Sequence, residues 1–270
     1  MRINKKLLFN WLKILLIIYG AIGIALYYLQ EVFLFHPAKL PSQYQYTFAQ
    51  KYTEVNIAVN TTDTINLIQF KPADSIPKGI IIYYHGNKNN IAHYANYIAP
   101  FLLKGYEVWM QDYPGFGKST GTITEAKLYS QAMQIKKLAD AIYLPNQIVL
   151  YGKSLGTGIA AYVASQSQAK LLLLETPYYS IPSLFNQYAC IYPTKAMAKY
   201  IIPTHTFIAT VAYPIIIFHG TSDGVIPYKE AQKLLPILKP TDAFITVPNG
   251  THHNINSSKI YYKSIDSLLP

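Results

Sequence analysis

Apolar positions along the chain follow three rhythms. Residues 7–29 are apolar apart from a few positions such as Asn10 and Lys13, and residues 14–29 carry no charge. At 1.5 Å per residue, a helix of that length crosses about 30 Å of hydrocarbon. Residues 53–59 alternate, with Val55, Ile57 and Val59 on one face, as in a half-buried antiparallel strand. Residues 65–71 read as its hairpin partner across a polar turn at 61–64. Continuous apolar runs follow at 79–84, 148–151, 171–174 and 215–218, the mark of strands covered on both faces, and further strands are read at 106–111 and 243–247. Helical stretches fall between them, at 93–103, 124–142, after Ser154, at 228–238 and at 259–268. The clearest is 124–142, where Leu128, Ala132, Ile135, Ala139 and Ile142 recur at steps of four and three. Strand–helix alternation behind a leading hairpin predicts a mostly parallel α/β sheet with helices on both faces.

Residues 176–213 break the alternation, being rich in aromatics (Tyr178, Tyr179, Phe185, Tyr188, Tyr192, Tyr200, Phe207) and prolines (Pro177, Pro182, Pro193, Pro203). This stretch is either a loop with one short helix over the sheet edge or a small lid whose apolar face lines an acyl pocket. The division that follows is an N-terminal transmembrane anchor at 1–30, a linker at 31–50 and a catalytic domain at 51–270, with 176–213 as the lid segment. Prolines and aromatics in the linker (Pro37, Pro41, Phe33, Phe35, Tyr44, Tyr46, Phe48) suggest that it packs on the domain or lies at the bilayer surface.

Charge adds an orientation. Arg2, Lys5 and Lys6 precede the apolar segment, which places the N-terminus in the cytoplasm and the bulk of the chain on the opposite side. Trp11 at one end and Tyr27 and Tyr28 at the other suit the two interfacial belts. A cleaved signal peptide is the rival, through Gly23-Ile24-Ala25, but the run is long for a signal core. The net charge of +10, from 23 Lys and Arg against 13 Asp and Glu, suits an anionic surface or substrate. Lysines are spread along the chain without a nucleic-acid-binding module, so no nucleic acid is expected as a partner. A single cysteine, Cys190, excludes internal disulfides and Cys-ligated structural zinc. No metal site or cofactor is expected.

The chemistry centres on Gly152-Lys153-Ser154-Leu155-Gly156, between an apolar strand and an Ala- and Ile-rich helix. Glycines two residues either side let a serine sit on a sharp strand-to-helix turn with its hydroxyl lifted above the sheet. A serine hydroxyl needs a base within hydrogen-bond reach, and the base needs an orienting acid. On a parallel sheet these come from later strand ends in the order Ser, acid, His. Asp223 follows the run ending at His219, and His252 and His253 follow the run ending at Val247; only one of the two histidines can be the base. Glu175, at another strand end, is the alternative acid, better suited to packing. His85 and His219, each before a glycine, read as braces for backbone turns. The oxyanion of a tetrahedral intermediate needs two N–H donors. The backbone amide of Leu155 and that of Asn87, in the loop after His85, are the candidates. Gly117-Lys118-Ser119 and Gly152-Lys153-Ser154 fall short of a phosphate-binding loop, with Asp112 and Gln147 where a glycine is needed.

Together these residues resemble the α/β-hydrolase superfamily, and within it the membrane-anchored serine hydrolases that include depalmitoylases, monoacylglycerol and lysophospholipid lipases, and serine aminopeptidase-like relatives. The likeness runs from about residue 53 to the C-terminus. It rests on His85-Gly86-Asn87, on Asp112-Tyr113-Pro114-Gly115-Phe116-Gly117 with Ser119, on the Gly152 to Gly156 elbow, and on His219-Gly220 with Asp223, Ile226 and Pro227. Gly250, His253 and Asn254 match the family's G-x-x-H-N, so the resemblance assigns the base to His253. It implies an α/β-hydrolase fold and an ester- or thioester-cleaving serine hydrolase. In it Ser154, His253 and Asp223 form the triad, Asn87 and Leu155 bind the oxyanion, and the substrate is a lipid or acylated molecule. A serine peptidase of the same fold, or an inactive membrane-tethered binding protein, are the alternatives.

Overall fold

In the computed structural model, which describes residues 5–73 and 76–270, eight strands form one sheet. They are β1 (Tyr52–Ala58), β2 (Thr64–Phe70), β3 (Gly79–Tyr84), β4 (Tyr106–Gln111), β5 (Ile148–Lys153), β6 (Leu171–Glu175), β7 (Ile215–Gly220) and β8 (Ala243–Val247). Their spatial order is β1-β2-β4-β3-β5-β6-β7-β8. β2 pairs antiparallel with both neighbours, and every other pairing in this sheet is parallel. The leading hairpin and the parallel run are those the periodicity predicts.

Side chains of a strand alternate between faces, and the apolar runs are continuous because both faces are covered. Ile80, Ile82 and Tyr84 of β3 join one core, with Leu128, Ala132 and Ile135 from α3 (Glu125–Asp140) and Ile159 and Val163 from α4 (Leu155–Gln166). Ile81 and Tyr83 join the other, with Phe101 and with Tyr261 and Ile265 from α7 (Lys259–Leu268). Thr124 caps α3 by accepting from the amide of Lys127, and Ser258 caps α7 by accepting from that of Tyr261, the side-chain acceptors that helix starts favour.

Three sequence expectations change. The helix expected at 93–103 is broken into Ile91–Tyr94, a 3₁₀ turn at Ala95–Tyr97, and Ala99–Leu103. Pro100 has no N–H to continue the first helix, so it starts the last one instead. The helix expected at 228–238 stops at Gln232, and Pro236 sits in a 3₁₀ turn beyond it. The stretch 176–213 holds three short helices rather than one: α5 (Ile181–Asn186), Thr194–Met197 and α6 (Thr204–Ile208).

Before the sheet stands α1 (Lys5–Tyr28), 24 residues that are exposed almost throughout. Among the described residues it is the one helix long and apolar enough to cross a membrane. Arg2 lies outside the described residues. A short α2 (Gln30–Leu34) follows, and the chain then packs on the domain. Phe35 meets Tyr200 edge-on at 4.9 Å. Tyr46, buried, stacks on Phe48 at 5.0 Å and donates to Asn66 Oδ1 at 3.0 Å.

Candidate active site

The register of the parallel strands brings their carboxyl ends to one rim. Tyr84 lies opposite Gly152, Gly152 opposite Leu174, and Leu174 opposite Ile217. The loops after β3, β5, β6, β7 and β8 therefore start side by side.

Ser154 stands between β5 and α4 with φ 53° and ψ −120°, a conformation costing about 1–3 kcal/mol for a residue with a side chain. Its surroundings hold it there. The Ser154 amide donates to the Glu175 carbonyl at 2.9 Å, and its carbonyl accepts from the Thr157 hydroxyl at 2.6 Å. A Cβ on Gly156 would come within 2.0 Å of the Tyr84 carbonyl oxygen, so the helix approaches β3 only because that residue is glycine.

The Ser154 hydroxyl lies 2.9 Å from Nε2 of His252. Nδ1 of the same ring lies 2.8 Å from Oδ2 of Asp223. A carboxylate only accepts, so Nδ1–H donates to Asp223 and leaves Nε2 to accept the serine proton. Asp223 is held in turn: the amides of Val225 and Ile226 both donate to its Oδ1 at 2.8 Å. Burial raises its pKa, but the bonds from His252 and these two amides outweigh that and the carboxyl ends below its usual range.

The base assigned by the resemblance is thus corrected. His253 is exposed and turned away, its ring perpendicular to that of His252 at 5.3 Å. Burial, His252 and Lys153 lower its pKa. The reason lies in the loop after β8. Asn249 adopts φ 57°, the Gly250 amide donates back to Val247 at 3.0 Å, and the Thr251 amide donates to Asn254 Oδ1 at 2.7 Å. Gly250 also presses on Gly220 so closely that a Cβ on Gly220 would meet the Gly250 carbonyl oxygen at 2.1 Å. That turn aims the residue two after Gly250 at the serine and the next one outward. Adjacent histidines give no sequence signal of which faces inward; the loop contacts decide.

Leu155 opens α4, where first-turn amides have no intrahelical acceptor. Gly86, in the other loop, comes near the serine: a Cβ there would lie 3.6 Å from Ser154 Cβ. Asn87, next in that loop, donates through Nδ2 to the Leu34 carbonyl at 2.9 Å, and its carbonyl accepts from the His36 amide at 2.8 Å. Residues His36–Pro37 form a short parallel ladder with Lys88–Asn89. His85 braces the turn through Nδ1 to the Gly86 carbonyl at 2.8 Å, and His219 does likewise to Gly220 at 3.1 Å. The sequence motif by itself gives Asp112 no role. Its Oδ1 accepts from the Ile91 amide at 3.0 Å and lies 3.3 Å from His85 Nε2. Glu175 is fully buried and takes the Lys153 ammonium and the Tyr151 hydroxyl, so it ties down the elbow strand rather than serving as the acid.

Ser154, His252 and Asp223 are only 8%, 7% and 6% exposed. Their burial strengthens the electrostatic interactions among them.

An open, mostly parallel sheet with this strand order, carrying a serine on a strand–turn–helix elbow, defines an α/β-hydrolase. The chain belongs to the α/β-hydrolase superfamily. A family described as "Serine aminopeptidase, S33" matches residues 75–206. The protein R595 of Acanthamoeba polyphaga mimivirus is 30% identical over 283 residues, covering 91% of this chain and 93% of that protein. Lysophosphatidylserine lipase ABHD12 of Macaca fascicularis is 25% identical over 189 residues, 61% of this chain and 46% of that protein. The alignment to YfhR of Escherichia coli K12, at 28% identity, covers 67% of this chain and spans 65% of YfhR's length. Among solved structures, the Pyrococcus furiosus esterase Pf2001 superposes with a TM-score of 0.66 at 15% identity, covering 87% of this chain and 97% of the esterase; at that identity the likeness is one of fold.

Proposed function

We propose that this chain is a membrane-anchored serine hydrolase that cleaves carboxylic ester or thioester bonds through an acyl-enzyme. The hydrogen-bonded line from Asp223 through His252 to the Ser154 hydroxyl carries the reading. In the first half-reaction, Ser154 Oγ attacks the acyl carbon while His252 Nε2 takes its proton. Asp223 keeps the ring in the tautomer with Nδ1–H and stabilises the imidazolium. The carbonyl oxygen becomes an oxyanion, received by the amides of Leu155 and Asn87. His252 then returns the proton to the leaving alcohol or thiol. Water repeats the sequence on the acyl-serine and frees the acid. α1 serves as a single-pass anchor with its N-terminus in the cytoplasm and the catalytic domain on the opposite side. The lipase among the relatives supports lysophospholipids as first substrates to try.

A fluorophosphonate probe tests the reading. It labels the native chain at Ser154, and Ser154→Ala abolishes both labelling and ester turnover. Undiminished turnover in Ser154→Ala refutes it. Peptidase activity is the second reading, favoured by the family description that matches residues 75–206. Amino-acid p-nitroanilides, run beside p-nitrophenyl esters and an acyl-thioester, separate the two.

A further inference from the structure

The lid does not rest on the sheet alone; it follows the anchor helix. Tyr192 stacks on Tyr19 with centroids 4.5 Å apart. The Tyr19 hydroxyl donates to the Ile191 carbonyl at 3.0 Å, and the Tyr192 hydroxyl donates to the Tyr19 carbonyl at 3.0 Å. At the upper end, Gln30 Nε2 donates to the Met197 carbonyl at 2.8 Å, and Gln30 Oε1 accepts from the Lys199 amide at 2.8 Å. From Tyr19 to Gln30 is about 16 Å of chain at helical rise. If α1 crosses about 30 Å of hydrocarbon, the lid edge runs down into the same leaflet. Its chemistry agrees. Ile191 and Tyr188 are 70% and 63% exposed. Lys199 sits over the Tyr27 and Tyr28 rings at 5.2 and 5.7 Å, a cation and aromatics where the helix leaves the apolar layer.

Between the two lies a cavity of about 290 Å³, lined by Leu26, Gln30 and Phe33 from the anchor side and by Phe185, Tyr188 and Met197 among the lid residues. The polar groups on its wall are already engaged. Gln30 uses its amide on Tyr27, Met197 and Lys199, and the Tyr188 hydroxyl donates to the Val225 carbonyl at 2.8 Å. That second bond joins the cavity wall to the loop holding Asp223. On the other side Leu34, next to Phe33, accepts from the Asn87 side chain at 2.9 Å. The cavity wall is thus tied by one hydrogen bond to the loop of the acid, and the residue after Phe33 is tied by another to the loop of the oxyanion donor.

We infer that this cavity is the acyl-chain site, and that the chain of a bilayer-resident ester enters it sideways from the leaflet, with the anchor helix as one wall. The inference rests on the serine-hydrolase reading and deepens it: the anchor is part of substrate binding, beyond holding the domain at the membrane. An apolar wall with its polar groups spent selects an acyl chain over a headgroup, because a polar group buried there would lose its hydrogen bonds to water without replacement.

The full chain in phosphatidylcholine nanodiscs is assayed with p-nitrophenyl acetate through palmitate. The expected result is a rise in kcat/KM with chain length of up to roughly fourfold per methylene taken up. Leu26→Trp, from the anchor, and Ala189→Trp, from the lid, each fill the cavity and should lower the laurate-to-acetate ratio at least tenfold. The acetate rate reports folding, and Met197→Ala, which enlarges the cavity, should move the optimum to longer chains. Independently of catalysis, a diazirine-bearing palmitate should crosslink saturably to lid residues in Ser154→Ala and lose that crosslink when Leu26→Trp is added. Ratios unmoved by all three substitutions, or a crosslink indifferent to Leu26→Trp, overturn the inference while leaving the hydrolase reading intact. Full turnover in Ser154→Ala refutes the hydrolase reading instead, and the crosslink still judges the cavity.

Discussion

The rim of the sheet and the seam between residues 181–208 and the apolar helix α1 are built differently. At the rim, the strand ends are buried and register-locked, and the functional residues are held by further bonds: the Asp223 carboxylate by two amides, the Ser154 backbone amide by the Glu175 carbonyl, and the His252 ring by Asp223. At the seam, short helices interrupted by prolines meet an exposed apolar helix through aromatic stacking and single side-chain bonds. The rim resembles a protein interior, where small displacements are costly; the seam resembles the weakly held segments from which lids are drawn. Substitutions at the rim should therefore act on turnover or folding, and those at the seam on substrate selection.

The largest expected effect tests the catalytic line. Ser154→Ala and His252→Ala should each lower kcat roughly 10⁴- to 10⁶-fold in an ester assay, and Asp223→Asn about 10⁴-fold, with melting temperature little changed for the serine variant. His253→Ala, by contrast, should alter kcat less than about threefold. Reversed values for 252 and 253 would show that the loop after β8 takes another register in the working enzyme.

Next in size is a packing test of the elbow. Gly156→Ala forces a Cβ against the Tyr84 carbonyl oxygen, and Gly220→Ala forces one against Gly250. Each should destabilise by about 2 kcal/mol or more in urea unfolding of the detergent-solubilised chain. At the seam, Tyr188→Phe removes one hydrogen bond to Val225, worth about 1 kcal/mol at most. It should move KM for long-chain esters more than kcat. An equal loss of kcat on all chain lengths would place Tyr188 with the rim.

The smallest effect lies in acid. Asp223 has a lowered folded pKa, so its contribution to stability is complete above its unfolded value of about 3.9 and is lost as pH falls through the folded value. Asp112 has the opposite sign. Burial raises its pKa against the pull of His85, so ionising it weakens the fold as pH rises from about 3.9 through the folded value. Asp223→Asn should flatten the acid limb of a stability–pH curve, and Asp112→Asn should steepen it.

How much of this could be read from residues alone differs by element. β3, β5, β6 and β7 are legible because strands covered on both faces show as unbroken apolar runs, β4 and β8 only as short apolar stretches carrying Glu107, Gln111 and Thr246, and α3 because a one-sided helix repeats its apolar positions every turn. The helices expected at 93–103 and 228–238 run too long, because Pro100 and Pro236 interrupt an otherwise helical pattern. Residues 176–213 conceal two of their three helices, since turns of four to six residues leave too few positions to show a period.

Order along the chain and residue type already point, without coordinates, to a serine elbow, an acid and a histidine at the ends of three parallel strands, because a parallel sheet delivers those ends to one side. The choice between His252 and His253 was a different kind of question. It depended on how one glycine loop presses on another across the sheet, a contact between residues 30 apart in the chain. The seam between α1 and residues 181–208 is of the same kind: each segment shows its own apolarity, but which tyrosine stacks on which is set only when the two surfaces meet.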